Sequence, residues 1–268
     1  TAWDKVASKH SLPVTSGGPT GATFSITEAN EQRLGERPIW INEDASKLNL
    51  ISDTSMKTNI EYGYGFCLWN DLAHRKTFAF VNNKEGEVEQ WELVQDSAQF
   101  VFHLVHSFKA AGQVEGMVVD PIDRVLYLGE EQGGVFAYNL DKMNDDRLRV
   151  PLSGVENLDL KYDIEGLAIY AGEGHHLLVT SSQGNNRYAV YNIDRDYHYV
   201  GVFGVKDKHG DRTQETDGID VFSGAVGDQF PHGIFLCQDG FNYDSTGVKE
   251  PQNFKITDWT LIEKALEL

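Results

Sequence analysis

Basic side chains are scarce in this chain: 23 Lys and Arg stand against 41 Asp and Glu, a formal net charge of −18 over 268 residues. That balance argues against nucleic acid as a partner, because binding the phosphate backbone needs Lys and Arg to replace its counterions. Cysteine is nearly absent; Cys67 and Cys237 both lie in apolar strand-like runs, where buried free thiols are the default and a disulfide does not follow from sequence alone. No apolar run is long enough to cross a bilayer, so no membrane partner is expected. There is no G-x-S-x-G elbow, no H-E-x-x-H pair and no Walker loop, and the chemistries those motifs carry are not expected. Proline is held to 7 residues while glycine reaches 26, which suits many tight turns between short strands.

What the chain does have is a period. A polar residue directly before a glycine opens an apolar run four times, at Tyr64-Gly65, Glu115-Gly116, Glu165-Gly166 and Asp217-Gly218, with the glycines 51, 50 and 52 residues apart. A strand-rich repeat of about 50 residues is the signature of a β-propeller blade. Alternation and β-branched or aromatic enrichment predict strands at Phe66–Trp69, Thr77–Val81, Glu87–Leu93 and Phe100–Phe108 in the first repeat. The second has Met117–Val119, Val125–Leu128, Val135–Leu140 and a weak strand near Leu148–Leu152; the third has Leu167–Tyr170, His176–Thr180, Tyr188–Ile193 and Tyr199–Val205. The fourth has Ile219–Phe222, Gly233–Cys237 and Asn253–Thr257, followed by an amphipathic stretch, Trp259–Leu266. An ordinary β-sandwich with accidental spacing is the alternative, and three near-equal intervals disfavour it.

In a propeller the first strands line a central channel, so the residues before the four glycines are expected to converge there. Three of them, Glu115, Glu165 and Asp217, are carboxylates. A second ring is expected where the second strands end, at Asn82-Asn83-Lys84, Glu130-Glu131, Ser182-Gln183 and Gln238-Asp239. Any one of these ends reads as a solvated turn; their repetition beside the first ring points to a shared site. Hard carboxylate and amide oxygens without clustered Cys or His favour Ca2+ over zinc or copper, and crowded carboxylates repel unless a cation intervenes. His175-His176 falls at a predicted hairpin, where a metal role is the minor reading, and Asn242–Glu250 fails the spacing of an EF-hand loop.

Six segments, in order, resemble the β-propeller (alkaline) phytase family. They are Val114-Glu115-Gly116-Met117, Leu126-Tyr127-Leu128-Gly129-Glu130-Glu131, Asp163-Ile164-Glu165-Gly166-Leu167, Ser181-Ser182-Gln183-Gly184-Asn185, Thr216-Asp217-Gly218-Ile219-Asp220 and Gln238-Asp239-Gly240. The resemblance runs from about Tyr62 onward and also takes in Asn83-Lys84-Glu85-Gly86-Glu87 and Gln252-Asn253-Phe254-Lys255. It implies an all-β propeller of four-stranded blades, six-bladed in the family. It also implies a 3-phytase-like phosphoric monoester hydrolase that uses several Ca2+ ions and metal-activated water on phytate or lower inositol phosphates. By the resemblance, Glu115, Glu131, Asp163, Glu165 and Asp217 hold the catalytic calcium cluster, and Tyr64 and Lys84 contact calcium or the substrate phosphate. Asp211, Gln183 and Asp239 are implied as further calcium positions. Asp163 and Asp211 come from the resemblance alone; the two predicted rings supply the other carboxylates and Gln183.

The chain also departs from the family. The family's Asp-Asp-Pro-Ala-Ile-Trp segment has only an echo in Glu36-Arg37-Pro38-Ile39-Trp40, and Gln132 stands where the family often has Asp. Residues 1–60 read as a helix (Ala2–Lys9), a Gly/Pro/Ser-rich link (Leu12–Gly21) and a partial blade with strands at Ala22–Ile26 and Pro38–Ile41; residues 61–268 hold the four repeats of a single domain. About five blades are therefore expected, an incomplete ring. The alternative function is an auxiliary calcium- and phosphate-binding propeller that assists a complete, tandem phytase domain. The resemblance implies a secreted or periplasmic protein. The chain shows no signal peptide and opens with Thr, which suggests a processed or trimmed product.

Overall fold

A computed structural model describes residues 39–41, 48–50, 58–96, 99–142, 147–149, 160–172 and 174–268. The expected helix Ala2–Lys9, the link Leu12–Gly21 and the strand Ala22–Ile26 lie outside the described residues. The chain forms two compact units, Thr1–Lys109 and Ala110–Leu268.

In the first unit, β1 (Ile39–Ile41) pairs antiparallel with β2 (Leu48–Leu50). A four-stranded blade follows, ordered β3 (Gly63–Asp71), β4 (Lys76–Asn83), β5 (Glu87–Asp96) and β6 (Gln99–Lys109). The second unit holds three blades. The first is β7 (Val114–Asp120), β8 (Val125–Glu130), β9 (Gly134–Asn139) and β10 (Arg147–Arg149). The second is β11 (Ile164–Gly172), β12 (His175–Ser182), β13 (Arg187–Asn192) and β14 (His198–Phe203). The third is β15 (Ile219–Phe222), β16 (Ile234–Asp239) and β19 (Asn253–Asp258), with the pair β17 (Asn242–Tyr243) and β18 (Lys249–Glu250) inserted before its last strand. Among the described residues the fold is all-β, built of four- and three-stranded antiparallel blades of the propeller kind, and the meander within each blade is the order the 50-residue period predicts.

Central strands are buried along nearly their whole length because both sheet faces are covered. One apolar cluster joins the first two blades of the second unit through Tyr127, Val135, Leu167, Leu178 and Tyr191. Another joins the last two through Tyr170, Val179, Tyr188, Phe235 and Trp259. The amphipathic stretch folds as α1 (Trp259–Leu266), capped by Asp258, whose side chain accepts from Thr260 N at 3.0 Å. Its fully buried Trp259 stacks on Tyr170 with ring centroids 4.0 Å apart. Strand β14 stops short of the expected Val205 because the Val205 carbonyl accepts from Thr213 N instead. Cys67 and Cys237 are free thiols; Cys237 is buried as expected, while Cys67 is only half-buried.

The repeated polar–glycine pair has a definite structural role. In three blades the register between the first two strands slips at that pair, between Gly63 and Phe66, Val114 and Met117, and Ile164 and Leu167. Two residues there oppose one, a β-bulge that turns the polar side chain out of the pleat. The glycine is required by the next blade. A Cβ on Gly116 would lie 2.4 Å from the Glu165 carbonyl oxygen, and one on Gly166 would lie 2.7 Å from that of Asp217. Gly166 N donates to that same Asp217 oxygen at 2.7 Å. Gly116→Ala is therefore expected to cost about 1–3 kcal/mol, the usual range for overpacking, read as a lower denaturant midpoint. An unchanged midpoint would show that the blades separate freely.

Candidate metal centre

The strand registers sort the second ring into three positions with different tasks. The residues opposite the bulges pin backbone: Asn82 Oδ1 accepts from Gly65 N at 2.9 Å, and Ser181 Oγ donates to the Thr216 carbonyl at 2.9 Å. In the last blade, Gln238 Oε1 accepts from Asp217 N at 2.9 Å. The next position ties down the segment that leads into its own blade. Asn83 Nδ2 donates to the Glu61 carbonyl, Glu130 Oε1 accepts from Ala111 N, Ser182 Oγ accepts from Lys161 N, and Asp239 Oδ1 accepts from Gln214 N. These four side chains are almost completely buried. In the second unit the third position is occupied by Glu131 and Gln183.

Glu115 and Glu165, from two bulges, and Glu131, just past the end of β8, converge. One carboxylate oxygen from each lies within 4.8 Å of the others, and Glu115 and Glu165 are buried. Burial, together with the negative charges of Glu115 and Asp217, a hydrogen bond with Glu115 and the charge of Glu131, pushes the Glu165 pKa up to about 10. Asp217 is raised to about 6 by burial, which outweighs the hydrogen bond from Gln183 and is aided by the charge of Glu215. In the absence of a cation, then, the cluster retains a proton at neutral pH. A hard divalent cation removes that requirement by compensating the charge, and an all-oxygen donor set of this kind fits calcium.

Amide side chains hold the carboxylates in place. Gln183 Nε2 donates to Asp217 Oδ1 at 2.8 Å, Gln113 Nε2 donates to Glu115 Oε1, and Gln132 Nε2 donates to Asp163 Oδ1. Gln132, one of the departures from the family pattern, thus donates where an ionised Asp could only repel. Sequence reasoning missed Gln113, which lies just before β7 and two residues before Glu115. The backbone contributes as well, with Ile164 N donating to the Glu131 carbonyl and Gln183 N to the Asp163 carbonyl, both at 3.0 Å.

The remaining expected residues lie elsewhere. Asp211 and Asp239 stand outside the glutamate triad and close on Lys255, whose Nζ donates to Asp211 Oδ2 at 2.8 Å and to Asp239 Oδ2. All three of these side chains are buried. Tyr64 and Lys84 belong to the first unit, where Lys84 Nζ sits 4.3 Å from the centroid of the Tyr64 ring. The Asn242–Glu250 segment is a hairpin in which Asp244 Oδ1 accepts from Thr246 N, Thr246 Oγ1 and Val248 N. That carboxylate oxygen is occupied by its own turn.

A family model described as Phytase matches residues 20–268. A 3-phytase of Bacillus subtilis (strain 168) is 37% identical over 254 residues, which is 92% of this chain and 66% of that protein. The chain thus spans slightly less than two thirds of the length of this relative. Among solved structures, a chain of the COPII coat assembled on membranes superposes with a TM-score of 0.51 at 11% identity, covering 79% of this chain and 28% of that one. At that identity the likeness concerns fold alone. Among the described residues, no helix is long and apolar enough to cross a membrane.

Proposed function

The chain belongs to the phytase family, and from that premise we propose that it is a calcium-dependent phosphomonoesterase acting on phytate or lower myo-inositol phosphates. The observation that carries this reading is the triad of buried Glu115 and Glu165 with half-buried Glu131, whose like charges are tolerated together only with a proton or a cation. In this reading Glu115, Glu131, Glu165 and Asp217 hold calcium, and Asp163 supports the same cluster. Calcium, when bound, supplies the positive charge that draws an anionic phosphate and activates water for hydrolysis. Gln113, Gln132 and Gln183 fix carboxylate orientation through the hydrogen bonds described above. Lys84 is assigned a charge-assisted contact to the substrate phosphate, with Tyr64 setting the position of its ammonium group. The proposed reaction is direct attack of metal-activated water on phosphorus, with no covalent enzyme intermediate. A secreted or periplasmic location follows from the same family resemblance, and cell fractionation checks it.

Phosphate release from phytate by the full chain, in calcium and in EGTA, tests the proposal. Release is expected in calcium alone, with Lys84→Ala raising KM more than it lowers kcat. Release that persists in EGTA would overturn it.

One observation favours a second reading, an auxiliary calcium- and phosphate-binding module. Asp211 and Asp239, two of the positions the resemblance gives to calcium, already have Lys255 as their cation. On this reading the chain alone binds phytate in calcium with little turnover, and fusion to a complete phytase domain raises that domain's rate. Equal rates with and without the fused chain would eliminate it.

A further inference from the structure

The His175-His176 pair, which the proposed function does not use, has carboxylates around it that sequence did not bring together. Strand β12 begins at His175, opposite Gly172 of β11, at the other end of the sheet from Ser182 and Gln183. There His176 meets the end of β7 from the neighbouring blade of the same unit. Its Nε2 lies 2.9 Å from Asp120 Oδ2, and its Nδ1 lies 2.8 Å from Asp194 Oδ1. Asp123, in the turn after β7, brings a third carboxylate: ligand atoms of Asp120, Asp123 and His176 all lie within 4.8 Å of one another.

Two observations separate this cluster from an ordinary surface ion pair. Asp120 is fully buried and the His176 side chain is 6% exposed. Nevertheless, Asp120 Oδ2 and His176 Nε2 make no hydrogen bond with any described residue. Their 2.9 Å approach lies off the hydrogen-bonding axis, so two buried polar atoms face each other with that need unmet. Asp120 Oδ1, in contrast, accepts from Ile122 N at 2.9 Å. On the far side of the ring, Asp194 engages Nδ1, the arrangement in which a carboxylate fixes the imidazole tautomer and leaves the Nε2 lone pair for a metal. Two ligand atoms each about 2.1 Å from one ion are about 3.0 Å apart at a right angle and about 3.4 Å apart at the tetrahedral angle, so the observed 2.9 Å is within about half an ångström of shared coordination.

We propose that Asp120, Asp123 and His176 form a second metal site, selective for a first-row transition-metal dication of the zinc type, with Asp194 as the positioning residue for the imidazole. One imidazole nitrogen with two carboxylates suits such ions, whereas calcium prefers a larger all-oxygen shell. Asp123 is exposed, so the site opens to solvent. Because Asp120 comes from one blade and His176 from the next, the ion staples the two blades at the end opposite the glutamate triad.

The test uses the full chain saturated with calcium, titrated with Zn2+ by calorimetry and with Co2+ by visible absorption. The wild type is expected to bind one equivalent of Zn2+, gain about 5 °C or more in melting temperature at 100-fold excess over Kd, and show Co2+ ligand-field bands. Asp123→Asn, a change at an exposed side chain that leaves packing intact, should weaken Zn2+ binding by about 10-fold or more, and Asp194→Asn by about 10–100-fold. His176→Gln should abolish the Co2+ bands, while Glu131→Gln should leave them unchanged. Zn2+ binding that is absent in the wild type, or unaltered by both Asp123→Asn and His176→Gln, would overturn the proposal. The first of those results would assign the cluster to a proton shared between His176 and its carboxylates.

Discussion

Glu165→Gln is expected to lower calcium-dependent phosphate release on the order of 100-fold or more, and Glu131→Gln to do the same, while Glu130→Gln leaves release near the wild-type rate. Loss of one charged ligand weakens the metal site at nearly constant shape. Glu130, by contrast, spends its Oε1 on Ala111 N at 3.1 Å, and the amide oxygen of Gln preserves that bond. Adjacent glutamates with opposite outcomes make this a sharp comparison. If Glu131→Gln and Glu165→Gln both turn over phytate at the wild-type rate, the triad is not the active site. Equal losses from Glu130→Gln and Glu131→Gln would instead mean that the whole loop, not the ligand, is being perturbed.

Removing calcium should lower the melting temperature by about 5 °C or more at pH 8, since a ligand bound only by the folded state stabilises it by mass action. The pH dependence without calcium follows from Glu165. Its pKa rises from an ordinary 4.5 to about 10 on folding, so between those values the folded chain keeps a proton that the unfolded chain has released. Stability in EGTA is therefore greatest below about pH 4.5 as far as this group is concerned, and falls steadily as pH rises toward 10. Asp217, raised to about 6, adds a smaller fall between its ordinary 3.8 and that value. Calcium, by holding the carboxylates ionised, should flatten this slope, and Glu165→Gln should flatten it even in EGTA. Thermal unfolding of both proteins across pH 5–10, with and without EGTA, gives the answer; a melting temperature indifferent to EGTA would exclude structural calcium.

Much of the fold was legible in the chain because each repeat is a local meander. Its strands carry their own alternation, and its opening bulge carries an invariant steric demand for glycine at Gly116 and Gly166. The expected strand Ile219–Phe222 and the amphipathic stretch Trp259–Leu266 match β15 and α1 to the residue. Of the site, the same period picked out Glu115 and Glu165, since equivalent bulges in neighbouring blades face one another. It did not separate Glu131 from Glu130, because the difference lies in which side chain turns back to the Ala111 amide. It gave Asp239 but not Asp211, and paired neither with Lys255, which is 16 and 44 residues away from them in sequence. His176 was legible as a hairpin residue with metal binding as the minor reading, since its carboxylates sit on two other segments. Periodicity reports strand geometry; which side chain from a distant segment fills a given space leaves no periodic trace.

The close seating of Gly116 against the Glu165 carbonyl has a practical consequence for any survey of variants. Glu115 and Glu165 are ligands of one proposed ion but belong to different blades, so docking of those blades and cation uptake form a single coupled equilibrium. High calcium then masks damage at the interface, and a screen run in millimolar calcium would score many blade-loosening substitutions as neutral. The same library at limiting calcium would expose them, and the apparent calcium affinity of each variant becomes a gauge of how well two sheets meet.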